Sequence, residues 1–125
     1  MARKPFHFSK QSLGAHGEDI IALELESRGA IILDRNWRIK EGEIDLVAQL
    51  ASGVIAIVEV KTRSTLAFGH PLESINHQKS QRLQRLALAW LVTHHRFGGS
   101  YQIDCAAVLI DQFGEHKIDY RSDVL

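Results

Sequence analysis

Cysteine is nearly absent: Cys105 is the only one in 125 residues. A single thiol closes no intrachain disulfide and builds no zinc site that needs two cysteines of one chain. A reducing, cytoplasmic setting is the expectation. No apolar run approaches the ~20 residues that span a bilayer, so no membrane segment is expected. The opening Met1-Ala2-Arg3-Lys4-Pro5 is basic but lacks the apolar run of a secretory signal. Net charge is missing too, with 15 Lys and Arg against 15 Asp and Glu. The total therefore does not point to a strongly basic nucleic-acid binder. Repeats, low-complexity stretches and linkers are also lacking.

What is present is an ordinary globular composition, 45% hydrophobic and 24% charged. That excludes a disordered tail, a collagen-like rod and a disulfide miniprotein. A chain of this length buries roughly two thirds of its unfolded surface. One domain over residues 1–125 is expected, with 1–12 as a flexible N-terminus. The charge is unevenly placed. Between residues 41 and 60 stand Glu41, Glu43, Asp45 and Glu59 with no Lys or Arg. Between 61 and 100 stand Lys61, Arg63, Lys79, Arg82, Arg85 and Arg96 against the lone acid Glu73. An acidic centre beside a basic stretch suits a polyanion with a cation between them; scattered surface charge is the plain alternative.

The pattern predicts a helix over Leu13–Arg28, with Ser12 as N-cap and Gly29 as its stop. Strands are expected at Ala30–Trp37, Glu43–Leu50 and Val54–Lys61, with Glu41-Gly42 as a turn. Ala51-Ser52-Gly53 between the last two reads as a hairpin loop. Thr62–Pro71, carrying Gly69, reads as a loop. A second helix is expected over Leu72–His94, ended by Gly98-Gly99. A strand at Gln102–Ile110 and a short edge strand at Lys117–Tyr120 follow. The order is α-β-β-β-α-β with an optional last strand. The two hairpin strands are apolar on both faces, so cover is needed on both. A mixed sheet flanked by helices, an α/β fold, satisfies this.

If Leu50 and Val54 close the hairpin, Asp45 lies opposite Glu59, their Cβ atoms about 5 Å apart. Regular alternation places Lys61 on the same face, with Val47, Ile55 and Ile57 nearer the turn. Opposed carboxylates on a partly buried face are unfavourable unless something offsets their charge. A divalent cation does so, because hard cations take carboxylate oxygens. A salt bridge from Lys61 is the simpler alternative. Glu18 shares a helical stripe with Gly14, Ile21, Ala22 and Leu25, which should face the sheet. Alone, Glu18 and Asp19 only favour the positive end of a helix; together with Asp45, Glu59 and Lys61, a shared site is the simpler account.

Asp45, followed by Glu59-Val60-Lys61 on a hairpin after a helix bearing Glu18, resembles the PD-(D/E)XK nuclease superfamily. The wider pattern is similar to the small bacterial YraN-like family of endonuclease-like proteins. The matching stretches are Gly14-Ala15-His16-Gly17-Glu18, Leu33-Asp34-Arg35-Asn36-Trp37-Arg38, Gly42-Glu43-Ile44-Asp45-Leu46-Val47 and Val58-Glu59-Val60-Lys61-Thr62-Arg63. Lys79, Arg82 and Leu83 match the second-helix pattern. The likeness covers about residues 14–110, and its ordered set is more specific than any one motif. Archaeal Holliday-junction resolvases are a more distant analogy. Ile44 stands where the superfamily name has Pro. The resemblance implies a restriction-endonuclease-like fold and a nuclease site, not an activity, since one fold hosts many functions.

On that reading Asp45 and Glu59 hold Mg²⁺ or Mn²⁺, with the Val60 carbonyl as a further ligand and Glu18 completing the set directly or through water. Lys61 positions the attacking water or neutralises the phosphate. Arg63, Gln78, Lys79 and Arg82 are the expected nucleic-acid contacts, with Arg85 on the same helical stripe. DNA is the expected partner, with RNA as the alternative, and a homodimer is a further expectation; a partner-binding protein whose second helix forms a dimer face is a third reading. A non-catalytic nucleic-acid-binding module on the same fold is the competing reading. His94-His95 reads as a helix C-terminal partner and His16 as a weak neighbour of the site. His70 and His77 read as exposed, Trp37 and Trp90 as packing residues, and Cys105 as a buried small hydrophobe.

Overall fold

A computed structural model describes residues 9–64, 72, 76–96 and 98–125. Helix α1 (Lys10–Ser27) starts ahead of the expected Leu13. Ser9 is its N-cap, and its Oγ accepts the Ser12 N–H at 3.1 Å. Ser12, expected as the cap, is the residue being capped. Apolar periodicity begins only at Leu13, so the polar first turn carries no such signal. At the other end Gly29 takes φ 88°, the left-handed stop expected there.

Strands β1 (Ile31–Ile39), β2 (Gly42–Gln49), β3 (Ile55–Arg63), β4 (Tyr101–Ile110) and β5 (His116–Arg121) form one sheet in the order β1-β2-β3-β4-β5. All neighbours are antiparallel except β3 and β4, which run parallel. A parallel pair needs a crossover, and helix α2 (His77–Thr93) lies within it. The β2–β3 register is the expected one: Leu46 pairs with Val58, Val47 with Ile57, Ala48 with Ala56. The Leu50 N–H donates to the Val54 carbonyl at 2.9 Å and closes the hairpin.

Thr62 and Arg63 belong to β3, not to the loop expected from Thr62. The rest of that loop, including Gly69, His70 and Pro71, lies outside the described residues apart from Ser64. So do residues 1–8 of the expected flexible N-terminus, and residues 73–75 of the expected second helix. Helix α2 starts at His77 rather than Leu72, because Asn76 caps it: its side chain accepts the Lys79 N–H at 3.0 Å. It also stops before Gly98-Gly99. His94 is the C-cap and His95 takes φ 57°, so the left-handed stop is a histidine.

One helix covers each face, as the two-sided apolar strands require. Ile21, Ala22 and Leu25 of α1 pack with Leu46, Ala48, Ala56, Val58, Ala106 and Val108. Leu83, Leu86, Ala87 and Trp90 of α2 pack with Ile44, Val47, Ile55, Ile57 and Ile103. Trp90 is a packing residue, 1% exposed, and Trp37 leans on the same cluster. The indole N–H of Trp90 donates to Asp34 at 3.1 Å, and the His94 ring stacks on the indole at 4.2 Å. This mixed α/β arrangement is consistent with the restriction-endonuclease-like fold. Among the described residues no helix is long and apolar enough to cross a membrane.

Candidate metal centre and basic cleft

The site forms where β2 separates from β3. Their last paired residues are Leu46 and Val58. Beyond that pair the side chain of Asp45 replaces a backbone partner, its Oδ2 accepting the Val60 N–H at 2.7 Å. Strand alternation also slips here. Ile44 and Val47 both join the α2 cluster, whereas Leu46 joins the α1 cluster. The opposed strand slips in step: Asp34 bonds Trp90 of α2, Arg35 bonds Asp19 of α1, and Trp37 returns to the α2 cluster. Asn36 makes this possible by taking φ 50°, a backbone state that asparagine tolerates better than most residues.

This slip corrects one expectation. Asp45 does not extend the face of Val47, Ile55 and Ile57. It meets α1 instead, where oxygens of Glu18, Glu43 and Asp45 all lie within 4.8 Å of one another. The three side chains are half-buried. The Asp45 carboxyl is pushed up to about 7, first by burial and then by the Glu59 charge, with the Val60 N–H opposing. Glu18 is raised by burial and by Glu43, while an Asn36 hydrogen bond pulls it down. Glu43 was not among the expected site residues. Its position two residues before Asp45 on one strand is the signal that places both on the same side.

Glu59 and Lys61 lie toward α2, as alternation from Ile57 requires. Lys61 Nζ is 3.1 Å from Glu59 Oε1, and the two side chains are 22% and 14% exposed. The salt bridge and the acidic group thus coexist: Glu59 is outside the trio yet close enough to raise Asp45. From α2, Lys79 reaches Lys61. Burial and the Lys61 charge hold it below the usual lysine value. Asn76, Gln78, Lys79, Arg82 and Arg85 line a cleft of about 290 Å³. Gln78, Arg82 and Arg85 are exposed, as is Arg63 at the end of β3. The carboxylate trio therefore gathers on the α1 side of the fork, with Arg35 and Arg38 at its edge, while Lys61, Lys79 and Glu59 meet on the α2 side.

Cys105 is the buried small side chain expected. It is 2% exposed, and burial pushes its thiol up to about 11.

A family model described as "Uncharacterised protein family UPF0102" matches residues 17–110. The chain is 46% identical to a UPF0102 protein of Arthrobacter sp. (strain FB24), over 93% of this chain and 98% of that one. It is 42% identical to one of Beutenbergia cavernae, over 93% and 98%. A third, from Nocardia farcinica, is 43% identical over 92% and 90%. The matched span contains Glu18, Glu43, Asp45, Glu59, Lys61 and the bases of α2. By the family model and these full-length likenesses, the chain belongs to family UPF0102, the YraN-like family.

Proposed function

We propose that this protein is a metal-dependent nuclease that hydrolyses phosphodiester bonds in structured or single-stranded nucleic acid. The observation that carries the reading is Asp45, a half-buried carboxyl crowded by two further carboxylates and raised to about 7. Such crowding is unfavourable for the protein alone and favourable around a hard divalent cation. The donor set is all carboxylate, which suits Mg²⁺ or Mn²⁺. Glu18, Glu43 and Asp45 would hold the ion, with Glu59 as the neighbouring carboxylate. When bound, it supplies Lewis acidity toward a phosphate oxygen and a water of lowered pKa.

The chain's own groups do the rest. Lys61, fixed by Glu59 at 3.1 Å, neutralises the phosphate and orients the attacking water; as an ammonium it does not act as the base. Arg63, Gln78, Lys79 and Arg82 contact the flanking backbone, which orients the strand without reading its sequence. A panel of labelled DNA and RNA structures with Mg²⁺ or Mn²⁺ tests the reading. Cleavage by the wild type, lost in Glu59→Gln and Asp45→Asn, is expected. Equal cutting by Glu59→Gln contradicts it. The Glu59–Lys61 ion pair favours a second reading, a non-catalytic binding module on the same fold. Binding without cation-dependent cleavage is its signature.

A further inference from the structure

Asn36 has no role in the mechanism above, yet it touches two of the three clustered carboxylates. Its amide nitrogen lies 2.9 Å from Glu43 Oε1 and 3.2 Å from each oxygen of Glu18, in the orientation that lets it donate. Its flanking pairs, Arg35 with Leu46 and Trp37 with Ile44, set it across the ladder from Asp45. The backbone at φ 50° turns its side chain toward α1 when regular alternation would turn it away. Neighbours brace the arrangement. Arg35 donates to Asp19 of α1 at 2.5 Å, and Arg38 takes the other oxygen of Glu43 at 2.5 Å.

We propose that Asn36 is a positioning residue whose carboxamide clamps Glu18 of α1 to Glu43 of β2 and so sets both carboxylates beside Asp45. The inference rests on the reading of this group as the cation-holding one. The residue type suits the task. A lysine here would satisfy the oxygens but cancel the charge that attracts a cation. A glycine would accept the backbone but donate nothing. Asparagine accepts the left-handed backbone and offers two N–H donors with no charge.

Two measurements test it. In the ion-free protein, the side-chain amide signals of Asn36 in ¹⁵N NMR should move in both Glu18→Gln and Glu43→Gln. Signals unmoved in both variants overturn the clamp. Mn²⁺ calorimetry on Asn36→Gly, which keeps the left-handed backbone and removes the amide, should show affinity weakened roughly 10–100-fold, with the melting temperature nearly held. Wild-type affinity in that variant overturns the clamp. Should Asn36→Gly fail to fold, the amide signals decide alone, and signals unmoved in both variants overturn the clamp. Absence of Mn²⁺ binding in the wild type overturns the nuclease reading instead, and the amide signals then decide the role of Asn36.

Discussion

Asp45 carries the largest electrostatic strain at this site. Its folded carboxyl keeps the proton up to about 7, whereas an unperturbed aspartate releases it near 3.8. Between those values the native state binds more protons than the unfolded one, so stability falls as pH rises across that window. The ion-free wild type should therefore lose melting temperature between about pH 4 and pH 7, and Asp45→Asn should lose less. A thermal series in chelator, run on both proteins, checks this; parallel curves would contradict it. Gly17 is the second sensitive residue. A Cβ there would run into Thr62 Oγ1, which is itself buried with no hydrogen-bond partner among the described residues. Gly17→Ala should push α1, and with it Glu18, off β3. Overpacking of this kind costs about 1–3 kcal/mol, readable by urea denaturation. The meeting of Glu18 with Asp45 and of Glu59 with Lys61 was legible in the sequence because these residues stand in an ordered motif. Glu43 was legible from its i−2 spacing to Asp45 but was not among the expected site residues; Asn36 was not legible, because its role depends on a left-handed residue and a slip in alternation that periodicity does not encode.

At the scale of elements, the β2–β3 register was legible because a short closed loop determines it. The face of Asp45 was not, because α1 decides it: the slip turns Asn36 and Asp45 toward that helix, far away in sequence. The helix starts were misplaced for a related reason. Ser9 and Asn76 cap their helices, and a polar cap reveals itself only when it meets an amide. A second polar feature of the sheet also escaped sequence reading. Asp104 on β4 is 1% exposed, yet it accepts from Gln102 at 2.8 Å, from the Tyr120 hydroxyl at 2.5 Å and from the Asp123 N–H at 2.8 Å. Burial and this carboxylate raise the Tyr120 phenol far above its usual value, so it stays a donor at all ordinary pH. Tyr120→Phe should leave a buried oxygen short of a partner and cost about 1–3 kcal/mol. Denaturation measures the loss, and faster hydrogen exchange at Asp123 and Val124 should accompany it. Unchanged exchange would show that the Tyr120 hydroxyl is not what holds Asp104 in place for the C-terminal residues.

Across the whole molecule, a net charge of zero conceals two opposed faces at one end of the sheet. A carboxylate trio stands toward α1 and a basic cleft lies on α2, in line with the uneven charge along the chain. If the cleft of Gln78, Lys79, Arg82 and Arg85 takes a phosphate backbone, affinity should fall linearly with the logarithm of salt concentration. Arg82→Ala should weaken binding on all sequences alike and reduce that slope by about 1. A slope identical to wild type would remove Arg82 from the contact. The measurement that bears most directly on the whole account is calorimetric titration of the ion-free protein with Mn²⁺, repeated across pH and on Asp45→Asn. Binding that strengthens as pH rises to about 7 and vanishes in Asp45→Asn is the predicted result. Equal heats from the two proteins, or none from the wild type, would contradict a cation centre at the fork of β2 and β3.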